Sequence, residues 1–135
     1  MVDYLQRKEY GIQDLLGIMA KLRGADGCPW DREQTHASIR ANVLEEAGEV
    51  AEAIDSGDAA SLTEELGDLL LQVVFHAQIA AESGTFAWDD VVNGICRKLI
   101  DRHPHVFGGQ RAETAEQALA SWNAAKRREK ERRTP

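Results

Sequence analysis

An all-α helical bundle is the fold class this sequence predicts, and three observations support it. Apolar residues return every three or four positions along most of the chain. Ser, Thr and Asp capping patterns precede those stripes, and Gly or Pro follows them. No stretch of useful length alternates polar and apolar residues as a half-buried strand does, and no internal repeat is present. The 135 residues suit a single core, so one helical domain is expected over residues 1–126, with a basic C-terminal tail over 127–135.

Each helix is legible from its stripe and its ends. Tyr10, Leu15, Ile18, Met19 and Leu22 form the first stripe, which stops at Gly24 and the turn segment Gly27-Cys28-Pro29-Trp30. A second helix is predicted to begin near Asp31, with Asp31 capping and Gln34 reaching back, and to run through Ile39, Val43, Ala47, Val50 and Ile54 to Ser56-Gly57-Asp58. The capping-box pattern Ser61-Leu62-Thr63-Glu64 opens the third, which carries Leu62, Leu66, Leu69 and Val73 towards Gly84. A fourth covers roughly Trp88 to His103 and stops before Pro104. Gly108-Gly109 marks a loop, and a fifth helix starts at Thr114-Ala115-Glu116-Gln117 and includes Trp122. The link between the second and third helices is short enough to force an antiparallel hairpin. On the third helix, Leu71, Phe75 and Ile79 lie outside the main stripe, so the helix is apolar on two sides and is expected to be buried all round in a homodimer or higher homo-oligomer.

Composition excludes several classes. No apolar run approaches the roughly 18 residues of a membrane span, and the first residues, Met1 to Lys8, lack the apolar stretch of a secretory signal. Cys28 and Cys96 are too few for a disulfide framework, so the expected compartment is the reducing cytoplasm. Net charge is −7, although residues 126 to 135 hold six Lys or Arg against Glu129 and Glu131. An acidic body repels nucleic-acid backbones, and no stable nucleic-acid partner is expected.

The chemistry concentrates in four acids, Glu46 and Glu49 on the second helix and Glu65 and Asp68 on the third. At 100° per residue from Glu46, the stripe Ile39 to Ile54 falls between about 20° and 100° and Glu49 at about −60°; from Glu65 the next stripe and Asp68 fall at nearly the same angles. In an antiparallel hairpin the four carboxylates converge at the edge of the core. Between Arg40 and Arg97 the chain holds no Lys or Arg, a gap of 56 residues, so local salt bridges cannot neutralise them. A hard divalent cation can. Oxygen-only ligation favours Mg²⁺ or Mn²⁺ over Zn²⁺, and none of the four acids begins the Glu-x-x-His of di-iron bundles. Glu52 points to plain surface, and Glu45 lies where it can support the cluster. His36, His76, His103 and His105 show no ligand spacing stronger than coincidence.

Four blocks in order resemble the MazG-type nucleoside triphosphate pyrophosphohydrolases: Gly27-Cys28-Pro29-Trp30-Asp31-Arg32-Glu33-Gln34-Thr35-His36, Leu44-Glu45-Glu46-Ala47-Gly48-Glu49, Glu64-Glu65-Leu66-Gly67-Asp68-Leu69-Leu70, and Arg102-His103-Pro104-His105-Val106-Phe107-Gly108. The resemblance covers about residues 10 to 126. It implies Mg²⁺ held by Glu46, Glu49, Glu65 and Asp68 and hydrolysis of a (deoxy)nucleoside triphosphate between the α and β phosphates, used for house-cleaning of non-standard nucleotides. Glu45 or Glu46 is the candidate general base. Lys98 with Arg102 and Trp122 with Lys126 are each four apart, hence on one helix face, and match the family's substrate-binding set. Lys98 and Arg102 would grip phosphates, and Trp122 would stack a base or simply pack. Gly48 within the first acidic motif departs from the family, as does a single domain where many relatives carry two in tandem. The competing class is a non-catalytic helical interaction module with a structural cation site, which has no use for phosphate-gripping cations.

Overall fold

The computed structural model describes residues 3–133, and the regular elements among them are all helical, with no strand. After a 3₁₀ turn at Tyr4–Gln6 come α1 (Ile12–Leu22), α2 (Pro29–Glu33), α3 (Arg40–Ser56), α4 (Ala59–Glu82), α5 (Trp88–Arg102), α6 (Pro104–Phe107) and α7 (Ala115–Arg133). The chain divides into two compact units, one ending at Trp88 and one beginning at Asp89. Met1, Val2 and the last two residues of the expected tail lie outside the described residues.

The predicted second helix is two. Pro29 opens α2 at its first position, where the missing N–H costs nothing, and Asp31 lies inside that turn of helix rather than capping it. Gln34 is extended, and its side-chain amide donates to the Trp30 carbonyl at 2.7 Å. Thr35 and Ser38 then exchange hydrogen bonds, the Thr35 N–H to Ser38 Oγ at 2.8 Å and the Ser38 N–H to Thr35 Oγ1 at 3.1 Å. Short polar side chains have here supplied the backbone with partners other than a helical ladder. The glycine of the first motif has a steric reason: a Cβ on Gly27 would run into the Leu22 and Lys21 carbonyls, where the chain doubles back and the Cys28 N–H donates to the Leu22 carbonyl at 2.8 Å.

α3 stops at Gly57, whose φ of 72° is left-handed. The start of α4 lies earlier than the Ser61 pattern predicts, because Asp58 is the stronger cap: its Oδ1 accepts from the Ala60 N–H at 3.2 Å and its Oδ2 from the Ser61 hydroxyl at 2.8 Å. Thr114 caps α7 as expected, accepting from the Gln117 N–H at 3.1 Å, while Gln117 accepts from Glu113 one residue further back. α7 runs on to Arg133, so residues 127–133 of the expected tail are helical.

In the first unit, Met19, Ile39, Val74 and Phe75 form the core, with Leu15, Leu16, Leu71, Ile79 and Trp88 packed on it. This reverses the expected roles of the two apolar sides of α4. Leu71, Phe75 and Ile79 face inward because α1 packs there, whereas Leu66 and Val73 of the supposed core stripe are 48% and 40% exposed. On α3, Ala47 and Ile54 are likewise exposed.

Arg23 joins the pieces of this unit. Its side chain is 7% exposed, pairs with both carboxylate oxygens of Glu82 at 2.9 and 3.0 Å, and donates through Nη1 to the Asp31 and Gln34 carbonyls. Its guanidinium also lies 5.7 Å from the Phe75 ring centroid. Arg23→Met keeps the aliphatic bulk but strands two carbonyls and one carboxylate, and is expected to lower stability by about 2–3 kcal/mol in urea denaturation. A loss under about 0.5 kcal/mol, the range of an ordinary surface change, would show that the clamp contributes nothing.

Candidate active site

α3 and α4 are joined by Gly57 and Asp58 and pack along each other, and their contact face carries the four acids. Each of Glu46, Glu49, Glu65 and Asp68 offers one carboxylate oxygen, and these oxygens all lie within 4.8 Å of one another. The acids are half-buried. Oε2 of Glu46 and Oε2 of Glu65 are shielded from solvent and accept no hydrogen bond. The spacing of three within each helix puts both acids of a pair on one side, as the helical angles require, and the two pairs meet.

Electrostatics follow from that crowding. A hydrogen-bonding contact with Glu49 pushes the Glu65 carboxyl up to about 7, and burial and the charges of Glu49, Asp68 and Glu64 act in the same direction. Burial, then Glu49, Asp68 and Glu45, raises Glu46 above the ordinary carboxylate value. Without a cation the cluster is therefore proton-hungry. The donor set fits a hard divalent cation: oxygen only, two orphan oxygens, and no histidine or cysteine in the group. Glu46, Glu49, Glu65 and Asp68 are the residues that would hold such an ion. Glu45 is exposed and outside the group. Glu52 is exposed as expected, yet it lines a cavity of about 370 Å³ with Glu49, Ala53, Ser56, Ser61 and Glu65, an association its helical angle did not reveal.

A Cβ on Gly48 would meet nothing within 4 Å, so no other part of this chain presses on it. The glycine is not explained by close packing of a neighbouring helix.

The second unit collects the downstream set. Arg102 donates through Nε and Nη2 to Oε2 of Glu129 at 3.1 and 2.9 Å, and its Cζ lies 5.2 Å from the Trp122 ring centroid. Lys126 Nζ lies 5.1 Å from the same centroid. Trp122 thus carries two cations on its ring system, and it also walls a cavity of about 380 Å³ with His103, His105, Ala118 and Leu119. Lys98 is exposed on α5, one turn before Arg102. The Arg102–Glu129 pair was not legible in the sequence, since 27 residues separate its members.

The structure also pairs two histidines that spacing alone did not connect. Nδ1 of His36 and Nδ1 of His76 are 2.7 Å apart, within hydrogen-bond distance, with the two rings nearly parallel. Burial, then His36, lowers the His76 pKa. A cavity of about 470 Å³ lies against the pair, lined also by Ala37, Arg40, Val43 and Leu44.

A model of the MazG nucleotide pyrophosphohydrolase domain matches residues 34–107, a span that includes all four acids, Lys98 and Arg102 but not Trp122 or Lys126. Among curated proteins, the nucleoside triphosphate pyrophosphohydrolase/pyrophosphatase MazG of Thermotoga maritima is 55% identical over 103 residues, covering 75% of this chain and 40% of that protein. The nucleoside triphosphate pyrophosphohydrolase of Escherichia coli K12 is 49% identical over 120 residues, covering 88% of this chain and 46% of that protein. The chain thus spans less than half the length of these two relatives. Among solved structures, a mazG-related protein from Thermotoga maritima superposes with a TM-score of 0.70 at 27% identity, covering 86% of this chain and 99% of that one.

The raised acids set a pH dependence. A carboxyl that titrates near 7 when folded and near 4.5 when unfolded binds more protons in the folded state between those values, so the metal-free protein is expected to lose stability as pH rises from about 4.5 to about 7. Thermal melts in EDTA should show Tm falling over that interval. Added Mg²⁺ should restore it at about pH 7.5 and do less at about pH 5, where protons compete for the same oxygens. Glu65→Gln should raise the Tm in EDTA and blunt the Mg²⁺ response; a Mg²⁺ response of wild-type size in that variant would remove Glu65 from the cation site.

Proposed function

The chain belongs to the MazG nucleotide pyrophosphohydrolase domain family, and we propose that it hydrolyses (deoxy)nucleoside triphosphates to the monophosphate and pyrophosphate in a Mg²⁺-dependent reaction. The observation that carries this reading is the acid cluster: four converging carboxylates, two of their oxygens without a partner, on a stretch of chain that has no Lys or Arg. The names of the relatives, nucleoside triphosphate pyrophosphohydrolases, support the same substrate class.

Mg²⁺, with Mn²⁺ as a substitute, would supply charge neutralisation at the phosphate oxygens and acidify water. Glu46, Glu49, Glu65 and Asp68 would hold it, and the packing of the two helices that carry them restrains the four carboxylates near one another. Glu45 and Glu46 are the residues proposed to take the proton of the attacking water. Glu46 lies in the cluster with one free oxygen; Glu45 is the exposed acid next to it in sequence and bears on its charge. Lys98, Arg102 and Lys126 supply the positive charge that a triphosphate requires, with Trp122 holding two of these cations in place. Removal of non-standard nucleotides in the cytoplasm is the proposed use. No helix among the described residues is long and apolar enough to cross a membrane.

The proposed architecture is one domain over residues 1–126 in which α3 and α4 run antiparallel and copies of the chain assemble as a homodimer or higher homo-oligomer. Support for assembly comes from Ile54, Leu66, Leu70 and Val73, which are 59%, 48%, 39% and 40% exposed on these two helices. Apolar surface of that kind on a helix pair is commonly covered by a partner. Leu66→Glu is expected to shift the protein to a smaller species in analytical ultracentrifugation; an unchanged sedimentation coefficient would place the interface elsewhere or nowhere.

The activity is tested by a Mg²⁺-dependent assay over common and damaged nucleoside triphosphates with the products separated. Pyrophosphate and monophosphate are expected, with a loss of kcat/KM on the order of 100-fold or more in Glu49→Gln. Orthophosphate as the first product would refute cleavage between the α and β phosphates, and full turnover by Glu49→Gln would refute the cation site. Lys98→Ala should cripple a hydrolase and leave a non-catalytic interaction module intact.

A further inference from the structure

Glu129 is an acid set among cations. Trp122, Lys126 and Glu129 are spaced by four and three, so they share one face of α7, and that face meets Arg102 of α5. A carboxylate in such a place works against phosphate binding in two ways, by cancelling one positive charge and by taking hydrogen-bond donors. Either it blocks Arg102, or it does something for Arg102 that outweighs both effects.

The pattern of hydrogen bonds favours the second. Both bonds leave the Nε–Nη2 edge of the guanidinium and end on a single oxygen, Oε2 of Glu129. The hydrogens of Nη1 and the second hydrogen of Nη2 take no part in that pair. They form the edge that matches two oxygens of a phosphate. The ring of Trp122, 5.2 Å from Cζ, restrains the guanidinium at its face, while Glu129 restrains its rotation in the plane. The side chains of Arg102 and Glu129 are only 16% and 12% exposed, which shields the pair from competing water. An arginine already held in this way loses less rotamer freedom when its anion arrives.

We propose that Glu129 is a positioning residue, which together with Trp122 holds Arg102 so that its Nη1–Nη2 edge is presented to the substrate triphosphate. The proposal rests on the reading of Arg102 as a phosphate-binding residue. It makes a prediction opposite in sign to simple electrostatics, since neutralising Glu129 adds net positive charge and would by itself tighten phosphate binding.

The test is steady-state hydrolysis by the full chain of the nucleoside triphosphate it turns over fastest, at about 0.15 M salt to screen long-range charge effects. Glu129→Gln, nearly isosteric, is expected to raise KM about tenfold and to change kcat by no more than about twofold. Glu129→Asp, which keeps the charge, should recover part of the loss. Arg102→Ala should raise KM by itself, and adding Glu129→Gln to it should raise KM no further. An unchanged KM in Glu129→Gln, beside an Arg102→Ala variant that is impaired, overturns the positioning role. A lower KM in Glu129→Gln means that the acid blocks Arg102, and overturns it too. An equal rise in KM with and without Arg102 makes Glu129 a structural residue and likewise overturns it. If Arg102→Ala binds and turns over substrate as the wild type does, the phosphate-binding reading of Arg102 fails first and the positioning role falls with it.

Discussion

Four carboxylates held against one another, on a stretch of chain with no lysine or arginine to pair with them, are the constraint on which the rest of this structure depends. Like charges at this separation repel, and burial removes the water that would otherwise screen them. The fold nevertheless brings Glu46 and Glu49 of α3 together with Glu65 and Asp68 of α4, with carboxylate oxygens within 4.8 Å of one another. A protein selected for stability alone would put leucines there, and it has leucines to spare on the exposed face of α4. The arrangement therefore stores an unfavourable interaction that a proton relieves in part and a divalent cation relieves more completely.

That unfavourable contact must be offset by packing elsewhere. In the first unit the compensation comes from the other side of α4, where Phe75, Val74 and the flanking Leu71 and Ile79 meet α1. Arg23 adds a second tie. By binding Glu82 and two carbonyls of the α2 region, it connects the end of α1, the turn segment and the far end of α4 through one buried side chain. The cation-free stretch between Arg40 and Arg97 gains meaning in this setting. A lysine or arginine beside the four acids would neutralise the carboxylates internally and make an external cation redundant.

The second unit solves the converse problem, which is to keep cations oriented. Lysine and arginine side chains are long and lose much freedom on binding an anion. Here Trp122 and Glu129 take part of that freedom away in advance, the ring by its face and the carboxylate by paired hydrogen bonds. Each unit thus holds groups of one charge sign in a fixed geometry, acids in the first and bases in the second.

Much of this was legible in the residues. Helical spacing, capping signals and glycine stops were enough for an all-helical chain and for most helix positions, because they act over four or five neighbouring residues. The same local rule put Glu46 with Glu49 and Glu65 with Asp68 on matching faces, and the missing lysines and arginines pointed to a cation. What failed were choices between competing local signals. Asp58 outbid Ser61 as a cap, and the side chains of Gln34, Thr35 and Ser38 broke a helix that the apolar stripe would have continued. Which side of α4 faces inward, the His36–His76 contact across 40 residues and the Arg102–Glu129 pair across 27 were decided by tertiary packing. The physical reason is range: periodicity says which residues share a face, but only the approach of another helix determines what that face meets.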